Sequence, residues 1–364
     1  MGGIVELRAD DTIRTMQTAH SSSRRDALEI WVERVLAERG ERVSGEWRPV
    51  VGDASFRHFY RIHTGARSLI AMDAPPATEN NVQFVRLANL FKGVGVHVPE
   101  VIANDFEHGF LLVSDLGDLL YSSVYETAEH DAAIDSAIDT MITIARVGDA
   151  GGIVPPYTTQ RFFDELDLFK VWFIEGLLQR SLTKSEGGMF DDVRRRLIEC
   201  IEEQHKVCVH RDFHSRNLLW GPDRITRVVD FQDALHGPAL YDLASLLRDC
   251  YVRFDETEIA RWRERFRSRA ASHGLTFEAD PGRFARQLDL TAMQRQLKAI
   301  GIFSRLELRD GRGSHLVDIA PVLDHLADVA KSYADFRQFG EWLAGSIRAA
   351  AHTALSARGV VCEP

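Results

Sequence analysis

The sequence predicts a two-lobed α+β chain, with a small β-rich N-terminal lobe and a larger, mostly helical C-terminal lobe. Three observations carry this. Short apolar strand patterns gather between Trp47 and Val113, and apolar residues at helical spacing dominate after residue 118. One pair of strand patterns then re-enters the helical stretch between Val207 and Asp230. The expected boundaries are 26–113 for the small lobe, a polar hinge at 114–118, and 119–350 for the large lobe. At 364 residues the chain is long enough for each lobe to bury its own core.

The elements follow in order. Ser21 to Arg25 reads as a loose polar tail. Asp26 to Arg39 reads as a helix with Leu28, Trp31, Val32, Val35 and Leu36 on one face and Gly40 as its stop. Strands are expected at Trp47–Val51, Phe59–Thr64 and Ser68–Met72, separated by Gly52 and by Gly65. A helix over Asn80–Phe91 should turn Val82, Val85, Ala88 and Leu90 or Phe91 inward, and Gly109–Val113 is a further buried strand. Past the hinge, Ile134, Ile138, Met141 and Ala145 line one helical face. Phe162, Leu166, Phe169 and Phe173 line a second, widened by Trp172, and Phe190, Val193, Leu197 and Ile201 line a third. Leu218-Leu219-Trp220 and Ile225–Val229 are short strands joined by the turn Gly221-Pro222-Asp223-Arg224. From Leu240 onward the pattern is helical again.

Composition narrows the function classes. Asp plus Glu is 54 against 44 for Lys plus Arg, a net charge of −10, so a nucleic-acid partner is not expected. No run of apolar residues approaches the roughly eighteen of a membrane span, and no signal peptide is visible, so a cytoplasmic protein without a membrane partner is expected. Cys200, Cys208, Cys250 and Cys362 form no Cys-x-x-Cys pair, which fits reduced thiols rather than disulfides or a zinc site.

The chemistry is concentrated in Val209-His-Arg-Asp-Phe-His-Ser-Arg-Asn217, followed thirteen positions later by Asp230-Phe-Gln-Asp233. An apolar strand ends in a loop holding one carboxylate and one amide, and a hairpin brings a second carboxylate alongside. Phosphoryl transfer assisted by Mg²⁺ needs this set. One carboxylate orients the attacking hydroxyl and takes its proton, while a carboxylate and an amide oxygen hold a hard cation. Asp212 is placed for the first role, Asn217 and Asp230 for the second. His-Arg-Asp with Asn five positions on, then Asp-Phe, is also the spacing of protein-kinase catalytic and metal-binding motifs. His210 is expected to brace the loop. A polar turn at Gly52–Arg61 lies between two strands, where backbone N–H groups and Ser55 can cover nucleotide phosphates. Walker A, Gly-x-Ser-x-Gly, His-Glu-x-x-His and EF-hand patterns are missing.

These residues resemble the aminoglycoside phosphotransferase and choline kinase superfamily, over about residues 28 to 345. Within it the chain is most similar to bacterial kinases that phosphorylate the anomeric hydroxyl of N-acetylmuramate and N-acetylglucosamine. The similar stretches are Gly52–Arg57, Ser68–Pro76, Gly109–Gly117, Val209–Asn217, Asp230–Ala234, Gly237-Pro238, Tyr241–Leu243, Leu247–Asp249 and Gln296–Arg305. The resemblance implies a protein-kinase-like fold, ATP and Mg²⁺ as cofactors, Asp212 as base, and Asn217 and Asp230 as metal ligands. It also implies a hinge at Ser114, Asp115 and Leu116 whose backbone holds adenine, and Asp242 as a brace of the catalytic loop. One departure is plain. The superfamily usually carries a phosphate-binding lysine on the third strand, where this chain has Met72. Arg57 or Arg61, beside Ser55 and Phe56, is the expected replacement cation.

The acceptor side is expected beside Asp212, with His214, Arg216, Asp233, Arg248 and Arg305 as candidate contacts. An N-acetylated sugar calls for several hydrogen bonds and an apolar wall, and an arginine suits a lactyl carboxylate. A monomer or weak dimer is expected. Two other readings stand beside this one: a kinase of another small hydroxyl compound such as an amino alcohol or antibiotic, and a non-catalytic binding protein on the same fold. A protein kinase is disfavoured by Met72, by the long stretch between hinge and catalytic loop, and by the lack of Ala-Pro-Glu after Asp230.

Overall fold

A computed structural model describes residues 9–50, 57–275 and 277–361. The chain divides into two compact units. One holds the residues up to Lys92 with Val98–Gly117, and the other holds Gly93–His97 with the residues from Asp118 onward.

The first unit is built on a five-stranded antiparallel sheet. β1 (Val43–Val50), β2 (His58–Thr64), β3 (Ser68–Asp73), β4 (Val101–Asp105) and β5 (Phe110–Ser114) lie in the order β1-β2-β3-β5-β4. The register pairs Tyr60 with Ala71 and Ile70 with Val113. Alternation decides which face is covered: Ile62, Leu69, Ala71, Phe110 and Leu112 turn to one side, onto Leu28, Trp31, Val32, Val35 and Leu36 of the helix Ala9–Ala37. Ser21–Arg25 therefore lies inside that helix and is not a loose tail. Arg24 explains why the helix extends so far: its Nε donates to Asp73 at 3.1 Å and its Nη2 to the carbonyl of His108 at 2.8 Å.

The helix Asn81–Gly93 buries Phe84, Leu87, Ala88 and Phe91, while Val82 is exposed. The inward stripe is thus set by the aromatic residues, and Val82 falls on the opposite side. The edge strand β4 carries no clear sequence signal because only its partner β5 is fully apolar. Gly109 is required at the β4–β5 turn, where φ is +77° and a Cβ would sit 2.2 Å from the Ala74 carbonyl oxygen.

In the second unit the three predicted apolar faces are buried on the helices His130–Ala145, Thr159–Leu168 with Phe169–Leu177, and Lys184–Glu202. Trp172 is half-buried, and Ile174 widens the second face in its place. Two short antiparallel pairs interrupt the helices: β6 (Lys206–Val209) with β9 (Leu235–Pro238), and β7 (Leu218–Trp220) with β8 (Thr226–Val228). The strand β9 is hidden in the sequence by Gly237 and Pro238.

The helix Pro281–Asp310 starts on an Asp280 cap with Pro at its first turn and stops at Gly311, whose φ is +65°. It packs tightly on Thr159–Leu168, since a Cβ at Gly301 would lie 2.4 Å from the Leu168 backbone. Unusually for a core helix, it buries Gln294, Arg295, Gln296 and Lys298. Among the described residues, no helix is long and apolar enough to cross a membrane.

Candidate active site

The catalytic segment begins where β6 ends. The backbone N–H groups of His210 and Arg211 both donate to the buried Asp242 carboxylate, at 2.7 and 2.9 Å. His210 Nε2 lies 2.9 Å from the carbonyl of Val229, which ties the loop to the strand carrying Asp230. Arg211 has a φ of +78° and Asp230 of +61°, so both turn points hold non-glycine residues in the left-handed region. Arg211 is held there by its side chain, which donates to Glu165 at 2.7 Å and lies over the Tyr157 ring. Further along, Asp249 accepts from the backbone N–H of Ser215 at 2.8 Å and of Tyr251 at 2.9 Å. Two buried carboxylates therefore pin the loop from both sides.

The pinned loop brings Asp212, Asn217 and Asp230 together. Asn217 Nδ2 donates to the Asp212 carbonyl at 2.9 Å and reaches Asp230 Oδ2 at 3.4 Å. Gln232 Nε2 donates to the other Asp230 oxygen at 2.6 Å. Asp212 keeps 33% of its side chain exposed, enough for a hydroxyl to approach, and Lys298 Nζ stands 3.4 Å from its Oδ1. Burial alone would push the Asp212 carboxyl up. Lys298, then Arg211, His214 and Arg295, outweigh it and hold the group far below the usual carboxylate range. Asp212 is thus ionised at any physiological pH and is a weak base. His214 moves the other way. Burial lowers its pKa against the pull of Asp249 and Asp212, and its buried Nδ1 makes no hydrogen bond among the described residues.

Comparison with known proteins decides the family. The family model described as "Phosphotransferase enzyme family" matches residues 46–284. The chain belongs to the phosphotransferase enzyme family. An N-acetylmuramate/N-acetylglucosamine kinase of Pseudomonas aeruginosa is 36% identical over 87% of this chain and 95% of that protein. One of Neisseria meningitidis with the same name is 32% identical over 85% of this chain and 91% of that protein. Among solved structures, the choline kinase LicA of Streptococcus pneumoniae matches with a TM-score of 0.59 at 14% identity, covering 84% of this chain and 100% of that one. A thermostable aminoglycoside phosphotransferase APH(4)-Ia, solved with ADP and hygromycin B, matches with a TM-score of 0.58 at 19% identity, covering 83% and 99%. The fold is the one these phosphotransferases share.

The remaining candidates of this phosphotransferase distribute as follows. Ser55 and Phe56 lie outside the described residues, as does Cys362. Arg57 pairs with Glu79 at 2.6 Å, and Arg61 forms a two-pronged pair with Asp115 at 2.6 and 3.0 Å. Asp115 also accepts from Ser68 Oγ at 2.6 Å and from the Gly117 N–H at 3.0 Å. Ser114 closes β5 by exchanging hydrogen bonds with Glu100, and Leu116 beyond Asp115 is half-buried. Arg216 stacks on the Tyr251 ring, 3.7 Å from its centroid, and reaches His315 at 3.2 Å and Asp318 at 3.6 Å. The Asp233 side chain is exposed. Arg248 is buried among Glu256, Asp289 and His325, and burial followed by this arginine's charge pushes the imidazole of His325 down to about 4. Arg305 is half-buried, its Nε makes no hydrogen bond, and it has no ion pair among the described residues.

Lys298 and Arg295 gave no role to the sequence reading. The available signal was the polar run Gln294-Arg-Gln-Leu-Lys298 set between the apolar Leu290 and Met293 and the apolar Ile300 and Phe303. Cys200, Cys208 and Cys250 are unpaired thiols. Burial pushes Cys200 up to about 11 and Cys250 up to about 12, so they are poor nucleophiles at neutral pH.

Proposed function

We propose that this phosphotransferase is an ATP-dependent kinase that places a phosphate on the anomeric hydroxyl of N-acetylmuramate and N-acetylglucosamine. The observation that carries the reaction is the convergence of Asp212, Asn217 and Asp230 on one pinned loop. The acceptor class follows from the relatives, which match across most of both chains and are named for these two sugars.

Asp212 orients the acceptor hydroxyl by accepting its hydrogen bond. A carboxylate held so firmly ionised takes the proton late, as the new O–P bond forms, which suits a loose phosphoryl-transfer transition state. The anomeric hydroxyl is more acidic than an ordinary sugar hydroxyl and needs less help from its base. Asn217 and Asp230 fit Mg²⁺. Both offer oxygen, Asn217 Oδ1 makes no hydrogen bond among the described residues, and Mg²⁺ takes few protein ligands beside nucleotide phosphates. When bound, the cation would offset charge on the phosphoryl oxygens. Ser55, Phe56, Arg57 and Arg61 are assigned to the nucleotide phosphates, and the backbone of Ser114, Asp115 and Leu116 to adenine. A guanidinium carries five N–H donors in a fork that suits phosphate, so an arginine braced by a carboxylate can also serve an anion. The first unit is accordingly the nucleotide-binding lobe, and the second carries catalysis and the acceptor.

The acceptor is assigned along the helix Pro281–Asp310. Arg305 lies two turns beyond Lys298 on the same face, about 10 Å along the axis. A half-buried guanidinium at this distance suits the lactyl carboxylate of muramate, while His214, Arg216 and the Tyr251 ring offer hydrogen bonds and an apolar wall. Asp233 and Arg248 are assigned to bracing. The product, a sugar 1-phosphate, feeds cell-wall recycling in the cytoplasm, and the chain works as a monomer or weak dimer.

The test is a coupled ADP-release assay over N-acetylmuramate, N-acetylglucosamine, galactose, choline and kanamycin, with phosphorus NMR of the product. The two N-acetylated sugars are expected to be used, giving a phosphorus signal coupled to the anomeric proton. Turnover confined to choline or kanamycin would refute the acceptor class. Coupling to the C6 methylene protons would refute the anomeric position.

A further inference from the structure

We propose that Lys298 is a catalytic residue, whose ammonium contacts the oxygens of the phosphoryl group in flight to the hydroxyl held by Asp212. This rests on Asp212 as the group that orients the acceptor.

The first ground is its cost. Lys298 is 5% exposed, and a buried lysine is retained only where a partner compensates its desolvation. The second ground is how few hydrogen bonds the protein gives it, since Asp212 and Glu165 hold its charge largely through space. Among the described residues its only hydrogen-bond acceptor is Asp212 Oδ1, at 3.4 Å, a long contact for an ion pair. The Tyr241 ring lies 5.5 Å from Nζ and adds a weak cation–π attraction. The other carboxylates of the region are committed elsewhere. Glu165 accepts from Arg211 at 2.7 Å and from Gln294 at 3.0 Å. Asp242 accepts the N–H groups of His210 and Arg211, and Asp249 those of Ser215 and Tyr251. An ammonium has three donors, so Lys298 keeps at least two for something the protein does not provide.

The third ground is position. A hydroxyl hydrogen-bonded to Asp212 must have its oxygen within about 3–3.5 Å of the phosphorus it attacks. Lys298 Nζ, 3.4 Å from the same carboxylate, is in reach of the oxygens on that phosphorus. In the step itself, the acceptor oxygen forms a bond to the γ-phosphorus of ATP and the bond from that phosphorus to the β–γ bridging oxygen breaks. The hydroxyl proton passes to Asp212 and ADP leaves. Lys298 gains and loses no proton and offsets charge on the transferred PO₃ group.

The test is a double-mutant cycle on the full-length protein, measuring kcat and both KM values for Lys298→Met, Asp212→Asn and the pair. Lys298→Met is expected to lower kcat by about 10²–10³-fold, the usual effect of removing one preorganised donor, with each KM within about threefold. In the Asp212→Asn background it should still cost about tenfold or more. A kcat for Lys298→Met within threefold of the parent overturns the proposal. So does no further loss in the Asp212→Asn background, because the ammonium would then act only through Asp212. If Lys298→Met fails to fold by circular dichroism, Lys298→Arg and Lys298→Gln replace it. The charged variant is expected to exceed the neutral one at least tenfold in kcat, and equal rates overturn the proposal. Failure of the underlying reading looks different: Asp212→Asn alone would then stay within threefold of the parent.

Discussion

Arg57 and Arg61 in the sheet unit and Lys298 and Arg295 in the helical unit are all largely buried cations, and the protein treats them in opposite ways. In the sheet unit each has its own carboxylate: Arg57 meets Glu79 at 2.6 Å and Arg61 meets Asp115 at 2.6 Å. Beside Asp212 the cations make few direct contacts and are held mainly through space by the carboxylates Asp212, Glu165 and Asp249. Lys298 has one long contact, and Arg295 leaves Nε and Nη1 without a hydrogen bond over the Tyr241 ring. Neutralised pairs hold a shape, and their charges largely cancel at a distance. Buried cations that keep donors without a hydrogen bond can offer them to an anion that arrives later. The same helix carries Arg305, half-buried and without an ion pair among the described residues, two turns on. The contrast separates directly paired cations from cations that keep donors unfilled, without reference to any ligand.

The strongest way to break this comparison is to remove the one carboxylate at the centre of the positive cluster. Asp212→Asn is expected to lower kcat by about 10²–10⁴-fold, with ATP KM within a few fold of the parent. Steady-state kinetics over both substrates checks it. A kcat within threefold of the parent would mean that the cluster serves another group, and Asp230 would be the next carboxylate to examine.

How much of this was legible in the sequence depends on how local the determinants are. The segment Val209–Asn217 and Asp230 declare themselves because they lie on one short stretch of chain, where spacing fixes geometry. The strands β2 and β3 are legible through partial alternation, and β5 as a short run that is apolar and buried throughout. By contrast, Lys298 joins the site from 86 residues away. Nothing in its own helix states where that helix docks, and the close approach at Gly301 that fixes the docking is a tertiary fact. The strand β9 fails for a different reason, since Gly237 and Pro238 contradict strand propensity and only pairing with β6 overrides it. Val82 misled although Ala88 and Phe91 are buried as expected, because the centre of the inward stripe lies at Phe84 and Leu87. Phe84 and Phe91 bury more surface than a valine, so they set which side of the helix faces in.

A smaller effect sharpens the comparison from the sheet side. If Arg57 and Arg61 reach nucleotide phosphate, the double substitution to Ala raises ATP KM by about tenfold, or about 1.4 kcal/mol. Acceptor KM should stay within about twofold. Initial-rate kinetics with each substrate varied in turn decides the matter. An unchanged ATP KM accompanied by a lower unfolding midpoint would make both arginines braces, and would leave the helical unit as the sole source of cations for phosphate.

The smallest expected effect tests whether paired charge in the sheet unit is structural alone. Ser21–Arg25 has the composition of a loose polar segment, yet it is helical and Arg24 docks on Asp73. Asp73 is 6% exposed at the end of β3, and Arg24 Nε reaches both of its oxygens at 3.1 Å while Nη2 caps the His108 carbonyl at 2.8 Å. The guanidinium also lies 5.3 Å from the Phe110 ring centroid. Removing it leaves a buried carboxylate short of donors, a loss set mainly by that group's desolvation rather than by the attraction itself. Because Arg24 is itself partly exposed, water can replace some of what is lost, which keeps the cost to about 1–2 kcal/mol. Arg24→Ala should therefore lower the urea midpoint with an unchanged slope and leave kcat and both KM values within twofold. An unchanged midpoint would show that the front half of the helix adds nothing to the sheet, and a fall in kcat at unchanged stability would mean that this pair is not merely a brace.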